Sequence, residues 1–594
     1  MLHRYTLPIL ALCSITVPAS AQGVATGILD NTNVQALFHS NGLIGEDLQT
    51  SRPHFYVPWI GGVSPLYSAG LWVAGMAPDN SLHVAAQLYD AVGYDLAPGP
   101  LTLGSASITP QTSFAYDRVW KISRAQVEQH QAYFNCLSDI NCDVDVDFPG
   151  YVTPMELYGW PAMGDVAAGQ APYLAPFNDY NADGNYDPDD GDTPCVPGDE
   201  ALFMLFNDKT APHTMSMGQP LGLEVHMTPF GYYGLNDVDI RRTVFVRYRI
   251  INRSSTPYHD CYIGLFNDFD LGCSDDDFIG TDVGRNLVYV YNWDEDDQSC
   301  QSGIPGYGPA PPAFGMTVLK GPLLDANNAD DAAAYTLPSW NGTGFGDGNI
   351  DNERTGLSGS MFFSREGNNN VNDPDQAVHF YNYLRSMWKD GTPQSYGGTG
   401  YSTSPNARRS LYIFPNDSDP LGVGSEGEPQ PAWVESAQVS PDRRILGNMG
   451  PFSLDAGEED EIVVAYVYAR AGNRLASLAA LKQTVDSVRA FAEATPEVLG
   501  PVACAALPPQ GIYEHAAAQP LQLFPNPAMD RIGFTLPNAN GGDVRVFDAT
   551  GRLVLTQRIT TAQVQLDVHA LPAASYVVRV QTRDGLRYGR FVRQ

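Results

Sequence analysis

Closely spaced oxygen-bearing side chains between Asp179 and Asp190 are the feature of this sequence that points most directly to chemistry. Gly184 stands sixth in this run, where a loop around an ion must bend sharply. The spacing is that of a loop that wraps a calcium ion, and the ligand positions fall on Asp179, Asn181, Asp183, Asn185, Asp187 and Asp190. Asn185 would offer its backbone carbonyl, and Asp190 stands where glutamate is usual. The pattern predicts a structural calcium site on a lone loop, with a solvated acidic turn as the alternative.

A second group of carboxylates comes at the end of a predicted strand. Asp268 and Asp270 fall on one face there, because alternate residues of a strand point to the same side. The group continues with Asp276, Asp277 and Asp282. Packing so many carboxylates without a cation is costly, so a second calcium site is predicted, with solvated charge and a catalytic carboxylate pair as alternatives. A third acidic loop, 347–353, has suitable spacing for a cation but lacks the glycine bend.

Sequence motifs of catalysis are absent. The chain has no HExxH, no GxSxG, no P-loop and no dinucleotide-binding fingerprint. Glu224 and His226 share one face of a predicted strand, with His213 nearby, and we interpret them as a core histidine–carboxylate pair rather than a metal site. Glycoside hydrolysis needs only two carboxylates about 5–10 Å apart, so a secreted hydrolase of polysaccharide or protein stays open as an alternative.

Aromatic residues could build a sugar-stacking surface, although they more often form protein cores. The residues considered for such a surface are many of the tyrosines together with seven tryptophans: Trp72, Trp120, Trp160, Trp293, Trp340, Trp388 and Trp433.

The central region, residues 22–500, has the composition of a mainly β body with a few helices and room for two or more subdomains. It is rich in Gly, Pro, Asn, Asp and Tyr, which favour turns and short strands. Alternating apolar residues predict strands at 69–76, 82–89, 201–206, 222–227, 243–252, 261–267, 287–291 and 461–468. Helical spacing predicts helices at 123–133 and 474–494. The net charge of −33 excludes nucleic acid as a partner and favours bound cations that offset self-repulsion.

The N-terminus, Met1 to Ala21, has the three parts of a secretory signal peptide. A short basic start precedes the apolar stretch 7–17, and Ala19-Ser20-Ala21 supplies the pattern for cleavage before Gln22. The apolar stretch is too short to span a bilayer, and no other run of about 18 apolar residues exists, so no transmembrane segment is predicted. The mature chain is therefore expected to enter the periplasm.

The cysteines favour disulfide bonds in such an oxidising compartment. Cys136 and Cys142 are close enough in sequence to close a small loop, and Cys273 with Cys300 is a second predicted bridge. The partners of Cys195, Cys261 and Cys504 are left open. Because no two cysteines form a CxxC pair, zinc and redox roles are not expected.

The last residues, 521–594, form a separate unit in which arginine replaces lysine. Short alternating runs separated by turns predict a small antiparallel β-sandwich. The unit opens with Pro525-Asn526-Pro527, continues with Gly551-Arg552, and later has the segment LPAASYVVRV that contains Leu571 and Tyr576. These motifs, in this order, resemble the type A sorting domain of the type IX secretion system. The family usually has glycine where this chain has Ala574, which puts that one turn in doubt.

The resemblance implies export across the outer membrane by the type IX translocon and removal of the sorting domain by a sortase-like surface protease. The body would then be attached to lipopolysaccharide or released, and the Ala- and Pro-rich segment 501–520 is the expected linker. The body also resembles large uncharacterised secreted proteins that carry this domain, through segments such as GLWVAG at 70–75 and WKDGTP at 388–393. We expect a calcium-stabilised surface or secreted protein for adhesion, glycan binding or envelope structure, which is not an enzyme.

Overall fold

The structure is a computed structural model, and it describes residues 24–30, 33–89, 93–299, 303–332, 342–365, 369–435, 442–500, 504, 519–536, 542–547, 553–559, 561–582 and 585–594. The signal peptide expected at the N-terminus lies outside these residues. The chain divides into two compact units, Met1–Pro509 and Gln510–Gln594. The boundary falls within the expected linker, most of which is also outside the described residues.

A nine-stranded antiparallel sheet is the largest element of the body. Eight of its strands neighbour one another in this order: Asp277–Asp282, Leu287–Asn292, Ala313–Lys320, Glu459–Ala469, Val244–Asn252, Leu223–Gly231, Glu200–Asn207 and Ala97–Pro98. The ninth strand, Trp120–Ser123, also pairs with Glu200–Asn207. The alternation that predicted a core strand at 243–252 is confirmed, since Val246 and Tyr248 are fully buried on one face and Phe245 on the other. A central strand that is covered on both sides has this pattern.

A five-stranded antiparallel sheet packs against one face of the larger sheet. Its strands, in spatial order, are Gly359–Ser364, Arg443–Leu454, Tyr258–Asp268, Ser68–Met76 and Leu82–Ala86. The two inner faces share one apolar core, in which Leu71 and Leu265 of the smaller sheet lie with Val246 and Met316 of the larger. The body is thus a β-sandwich, as its composition predicts.

A long helix, Arg474–Ala494, covers the outer face of the nine-stranded sheet. Asn473 caps it by accepting the backbone N–H of Ala476 at 2.9 Å. Leu481, Val485 and Val488 are completely buried, as their spacing predicts. Leu475, in the first turn, is 55% exposed and does not join this apolar face.

The remaining helices and strands of the body are shorter, and most of them fall between the sandwich strands in sequence. The small antiparallel sheets contain Thr26–Asp30, Gln35–His39 and Phe55–Tyr56; Glu46–Asp47 and Arg52–Pro53; Phe177–Asn178 and Thr193–Pro194; and Asp296–Asp297 and Gly308–Pro309. The other helices are Pro110–Ala115, Arg124–Ser138, Val144–Asp147, Met155–Tyr158, Val238–Arg241, Ala377–Leu384 and Pro496–Leu499, with single 3₁₀ turns at Val166–Ala168, Pro188–Asp190, Val283–Arg285 and Val423–Ser425. None of the described helices is long and apolar enough to cross a membrane.

The C-terminal unit is a small β-sandwich of two sheets. One sheet has the order Gln519–Pro520, Gly585–Val592, Ser575–Thr582, Gly542–Phe547 and Leu553–Arg558, and the other pairs Arg531–Thr535 with Gln563–Asp567. Alternate residues of both sheets, among them Ile532, Leu566, Val546 and Val578, are fully buried between them. The predicted alternation of this unit therefore builds its own core.

Candidate functional site

The acidic loop 179–190 is closed on itself by its own side chains. Asp179 accepts the backbone N–H groups of Asp183 and Gly184 at 3.2 and 2.8 Å. The side-chain nitrogen of Asn181 lies 3.3 Å from a carboxylate oxygen of Asp183 and 3.3 Å from one of Asp190. The Asn181 amide thus links loop positions five and twelve, and Asp179 at position one accepts from the backbone of positions five and six.

Two carboxylates beside this cluster hold the loop to its base. Asp192 accepts the backbone N–H groups of Tyr180 and Asp187 at 2.7 and 2.8 Å, and burial raises its pKa. The side chain of Asp187 accepts the N–H of Asp189 and caps the turn Pro188–Asp190. The side chain of Asp187 is therefore already hydrogen-bonded within the loop. The carbonyl oxygen expected as a ligand belongs to Asn185, two residues earlier in the same loop.

The oxygen atoms of this loop could bind calcium only if carboxylate, amide and main-chain oxygens all took part. Among the described residues, one group of three Cys, His, Asp or Glu side chains brings its ligand atoms within 4.8 Å of one another, namely Cys136, Cys142 and Asp147. Its two cysteines are joined in a disulfide bond, so it is no metal site. A cation on the loop would need amide and main-chain oxygens with the carboxylates, and rotating the Asn181 amide would turn its oxygen toward them.

An aromatic surface, which we define as Tyr133, Phe134, Tyr151, Tyr158 and Tyr180, surrounds the acidic loop. Tyr133 and Tyr151 have ring centroids 4.6 Å apart, and Phe134 and Tyr180 have theirs 6.1 Å apart. All five rings are half-buried or exposed. The hydroxyl of Tyr158 donates to Asp189 of the loop at 2.5 Å. The expected sugar-stacking surface includes tyrosines, but the sequence does not indicate which of them lie together.

His130 and Gly191 join the aromatic surface to the acidic loop. His130, on the helix Arg124–Ser138, has one ring nitrogen 2.9 Å from the carbonyl oxygen of Pro188 and the other 2.8 Å from the hydroxyl of Tyr151. Gly191 has a φ of +99°, and a Cβ there would lie 2.9 Å from the Phe134 ring. The contacts of His130 and Gly191 therefore connect the acidic loop directly to the aromatic surface.

The second acidic group is buried around Arg444. Tyr89 donates its hydroxyl to Asp268 at 2.5 Å, and Arg444 Nε lies 3.4 Å from the other oxygen of that carboxylate. Arg444 also faces Asp442 at 3.2 Å and Asp373 at 3.7 Å. Burial raises the pKa of Asp268 to about 6 in spite of the neighbouring guanidinium. One arginine thus lies beside three carboxylates, and two of them, Asp268 and Asp373, come from distant parts of the chain.

Four more carboxylates extend this buried group. Burial and the charges of Asp268 and Asp277 raise the pKa of Asp270 well above its usual value. Burial likewise raises the pKa of Asp276 to about 6, that of Asp297 to about 7, and that of Asp277 well above its usual value. Oδ1 of Asp277 is shielded from solvent and has no hydrogen-bond partner among the described residues. Several carboxylates are thus buried close together here, which favours their protonated forms.

Asp282 does not belong with the buried group, contrary to the sequence expectation. Five residues of extended strand separate it from Asp277, which is about 16 Å, so the two cannot share an ion. Asp282 instead pairs with Arg285 at 3.1 Å and Lys482 at 3.2 Å.

The third acidic loop meets a neighbouring loop that sequence reasoning missed. Asp351 accepts the backbone N–H groups of Asn327 and Asn328 at 2.7 and 2.8 Å. Asp330 in turn accepts the N–H groups of Gly346 and Gly348 at 2.7 and 2.8 Å. These carboxylates already hold the two loops together, so the loop has a structural explanation without a cation.

Glu224 and His226 form the core pair that the sequence suggests. Glu224 accepts from His226 at 2.8 Å and from Arg253 at 2.7 Å. Burial alone would raise the pKa of Glu224, but these partners lower it to about 2. His213 lies apart, with its ring nitrogens 2.7 Å from the carbonyl oxygens of Val84 and Asp208.

The tryptophans are mostly core residues, so they make no sugar-stacking surface together. Four of them are at most 6% exposed: Trp72, Trp160, Trp388 and Trp433. Trp120 is half-buried and Trp293 is 44% exposed, whereas Trp340 lies outside the described residues.

The cysteines form the disulfides expected of an exported protein. Cys136 and Cys142 are bridged, and so are Cys195 and Cys504, a pair that the sequence left open. Cys273 is also in a disulfide, and its expected partner Cys300 lies outside the described residues. Cys261 is buried and free.

The opening motif of the C-terminal unit is fastened to its last strand. The side chain of Asn526 donates to the carbonyl oxygen of Arg590 at 2.9 Å and accepts the N–H of Val592 at 3.0 Å. The flanking Pro525 and Pro527 lack N–H donors, so this asparagine supplies the link. The terminal strand and the opening motif therefore form one assembled surface.

Residues 522–592 match the family described as Secretion system C-terminal sorting domain. The C-terminal unit is such a sorting domain. The protein is therefore exported to the outer cell surface or secreted, and the match supports the type IX secretion route. The sorting domain keeps its other motifs in ordered places: Tyr576 stacks on Phe591 at 5.3 Å, and Leu571 packs against the core. Gly551 and Arg552 lie outside the described residues.

Comparisons of the body give no family. Among curated proteins, none matches the chain. A solved structure of a polysaccharide lyase aligns with 66% of this chain and 37% of its own, at 8% identity and a TM-score of 0.17. A score this low carries no argument about the body. The expected resemblance of the body to other large secreted proteins stays a prediction.

Proposed function

We propose that the body is a calcium-stabilised extracellular protein that binds glycans and so serves adhesion at the cell surface. The observation that carries this proposal is the aromatic surface built around the acidic loop 179–190. Flat aromatic faces stack on the apolar faces of sugar rings. Tyrosine hydroxyls can donate hydrogen bonds to sugar hydroxyls or accept them, and nearby carboxylates accept them. Adhesion and glycan binding explain this surface, whereas a purely structural role in the envelope does not require exposed rings.

Calcium is proposed because the loop collects negative charge that nothing else on it neutralises. Asp179, Asp183 and Asp190 converge with Asn181, and no lysine or arginine is paired with any of them among the described residues. Calcium prefers such oxygen donors in a flexible loop. The buried group around Asp268, Asp270, Asp276 and Asp277 is a second proposed calcium site. An ion there would remove the cost of burying several carboxylates together.

The proposed partners of the sorting domain are the type IX translocon and a sortase-like surface protease. They follow from the match of residues 522–592 and from the separate folding core of that unit. Cleavage between the two units would leave the body anchored to lipopolysaccharide or released.

A secreted hydrolase is the second candidate function. It is favoured by one observation, the raised pKa values of the neighbouring carboxylates Asp268 and Asp270, since a general acid needs a pKa near the working pH. Against it, Asp268 is fully engaged by Tyr89 and Arg444. We therefore place glycan binding first.

The experiment that tests the proposal compares retention of purified protein on insoluble polysaccharides between the wild type and surface variants. Replacing Tyr133 and Tyr151 together by alanine removes the closest ring pair, and retention should fall at least about tenfold. Trp293→Ala removes an exposed aromatic ring elsewhere and should leave retention unchanged. If the double variant is retained like the wild type, the aromatic surface does not bind glycans.

A further inference from the structure

A cavity of about 260 Å³ lies in the body beside the ring of Tyr89. Its described lining is mostly apolar, with two carboxylates on one wall: Leu88, Tyr89, Thr214, Met215, Met217, Asp373, Pro374 and Asp375. Pockets for drug-sized ligands start at about 300 Å³, so this one suits a single ring with small substituents.

Asp373 lines this cavity with a carboxylate group, which can accept hydrogen bonds. Its Oδ1 is shielded from solvent and lies 3.7 Å from Nη1 of Arg444. The side chain as a whole is 43% exposed, so its open area lies on the other oxygen and the methylene group. No described residue forms a hydrogen bond with this carboxylate. One oxygen of Asp373 therefore faces Arg444 without a hydrogen bond, and the other carboxylate oxygen is left for a ligand.

The surrounding charges favour a neutral ligand that donates hydrogen bonds. An anion would meet the carboxylates of Asp373 and Asp375. A cation would meet Arg444 beside Asp373, and Lys389 and His379, which lie 3.3 and 2.8 Å from Asp375. A hydroxyl group can donate to a carboxylate without adding charge.

We propose that this cavity binds one neutral sugar ring, with a ring hydroxyl donating to Asp373 and an apolar ring face lying on Tyr89. Leu88, Met215 and Pro374 supply the dry walls that such a face requires. The inference rests on the proposed glycan binding for the nature of its ligand, but it places a binding position away from the acidic loop and its aromatic surface.

The test is saturation-transfer NMR of the purified protein with methyl hexopyranosides, and with agmatine as a small cationic probe of similar size. At least one hexoside should bind, and Asp373→Asn, which keeps the shape of the side chain, should weaken it at least about tenfold. Met217→Trp, at a lining residue that is 68% exposed, should also weaken binding by narrowing the mouth. Asp296→Asn, an exposed carboxylate elsewhere, should change nothing.

Three outcomes would overturn the inference: binding of agmatine alone, binding of no hexoside, or hexoside binding that is unchanged in both cavity variants. Retention on insoluble polysaccharide combined with any of these would leave the proposed function standing. Hexoside binding that is lost in Asp373→Asn, without any dependence of retention on the tyrosines, would instead place glycan binding in the cavity alone.

Discussion

Cys195 and Cys504 are joined by a disulfide bond although 309 residues separate them in sequence. Cys504 stands at the end of the body, just before the boundary with the sorting domain. The bond therefore fastens the last part of the body to the segment that follows the acidic loop. Because the body ends at this covalent tie, cleavage beyond Cys504 would release the sorting domain without loosening the body.

Removing this long-range disulfide should destabilise the body more than removing the short one. Loop-closure entropy predicts a difference of about 3 kcal/mol between a bridge that spans 309 residues and one that spans 6. Chemical unfolding of the Cys195→Ser/Cys504→Ser variant, with Cys136→Ser/Cys142→Ser as the matched control, measures it. Equal losses in the two variants would show that the long bridge does not constrain the unfolded chain.

Calcium should raise the unfolding temperature of the wild type, and it should raise that of the loop variant Asp179→Asn/Asp183→Asn by a smaller amount. A bound ion stabilises the folded state by about 2.7 kcal/mol at a hundredfold excess over its Kd. The control is Asp189→Asn, because Asp189 lies in the same loop but not at a ligand position. An undiminished calcium response of the double variant in calorimetry would refute the loop as the site.

The unfolding temperature of Asp297→Asn should rise relative to that of the wild type between pH 5 and pH 8, in calcium-free solution. The folded-state pKa of Asp297 is raised to about 7, so its favourable contribution is present below pH 4 and is lost as the pH rises through 7. Burial lowers the pKa of four histidines, His39, His54, His130 and His226, which act in the opposite sense.

The measured quantity is therefore the difference in unfolding temperature between variant and wild type at each pH. Asp275→Asn, at an exposed carboxylate of the same segment, should show no change of this difference with pH. A difference that shrinks from pH 5 to pH 8 for Asp297→Asn would contradict the raised pKa.

Deleting residues 521–594 should strand the protein in the periplasm, and Asn526→Ala should reduce its export. The alanine variant loses both hydrogen bonds that tie the opening motif to the last strand. Cell fractionation and immunoblotting would follow the protein, with Gln563→Ala, on an exposed strand position, as the control. Normal export of the deletion variant would mean that the sorting domain is dispensable.

Local patterns in the sequence predict the parts of this fold that depend on neighbouring residues. The strand Val244–Asn252 and the helix Arg474–Ala494 follow from alternation and helical spacing. The strand Arg443–Leu454 was not predicted, because its Gly- and Pro-containing sequence lacks alternation and its order comes from pairing with two strands far away in the chain.

The sites show the same division between local and long-range information. The hydrogen bonds that close the acidic loop lie within twelve neighbouring positions, and the spacing of oxygen-bearing side chains indicates such a loop, whereas a bound calcium ion stays a prediction. The group around Arg444 could not, because Asp268, Asp373 and Tyr89 reach it from three separate segments. No periodic pattern in the sequence indicates that these side chains contact Arg444.

The most direct test of the account is retention of the purified protein on cellulose, chitin and xylan, with calcium or with a chelator, while the supernatant is assayed for released sugar. Calcium-stabilised glycan binding predicts retention with calcium, loss of retention with the chelator, and no released sugar. Release of sugar, or the absence of retention on every polysaccharide and on the producing cells, would contradict it.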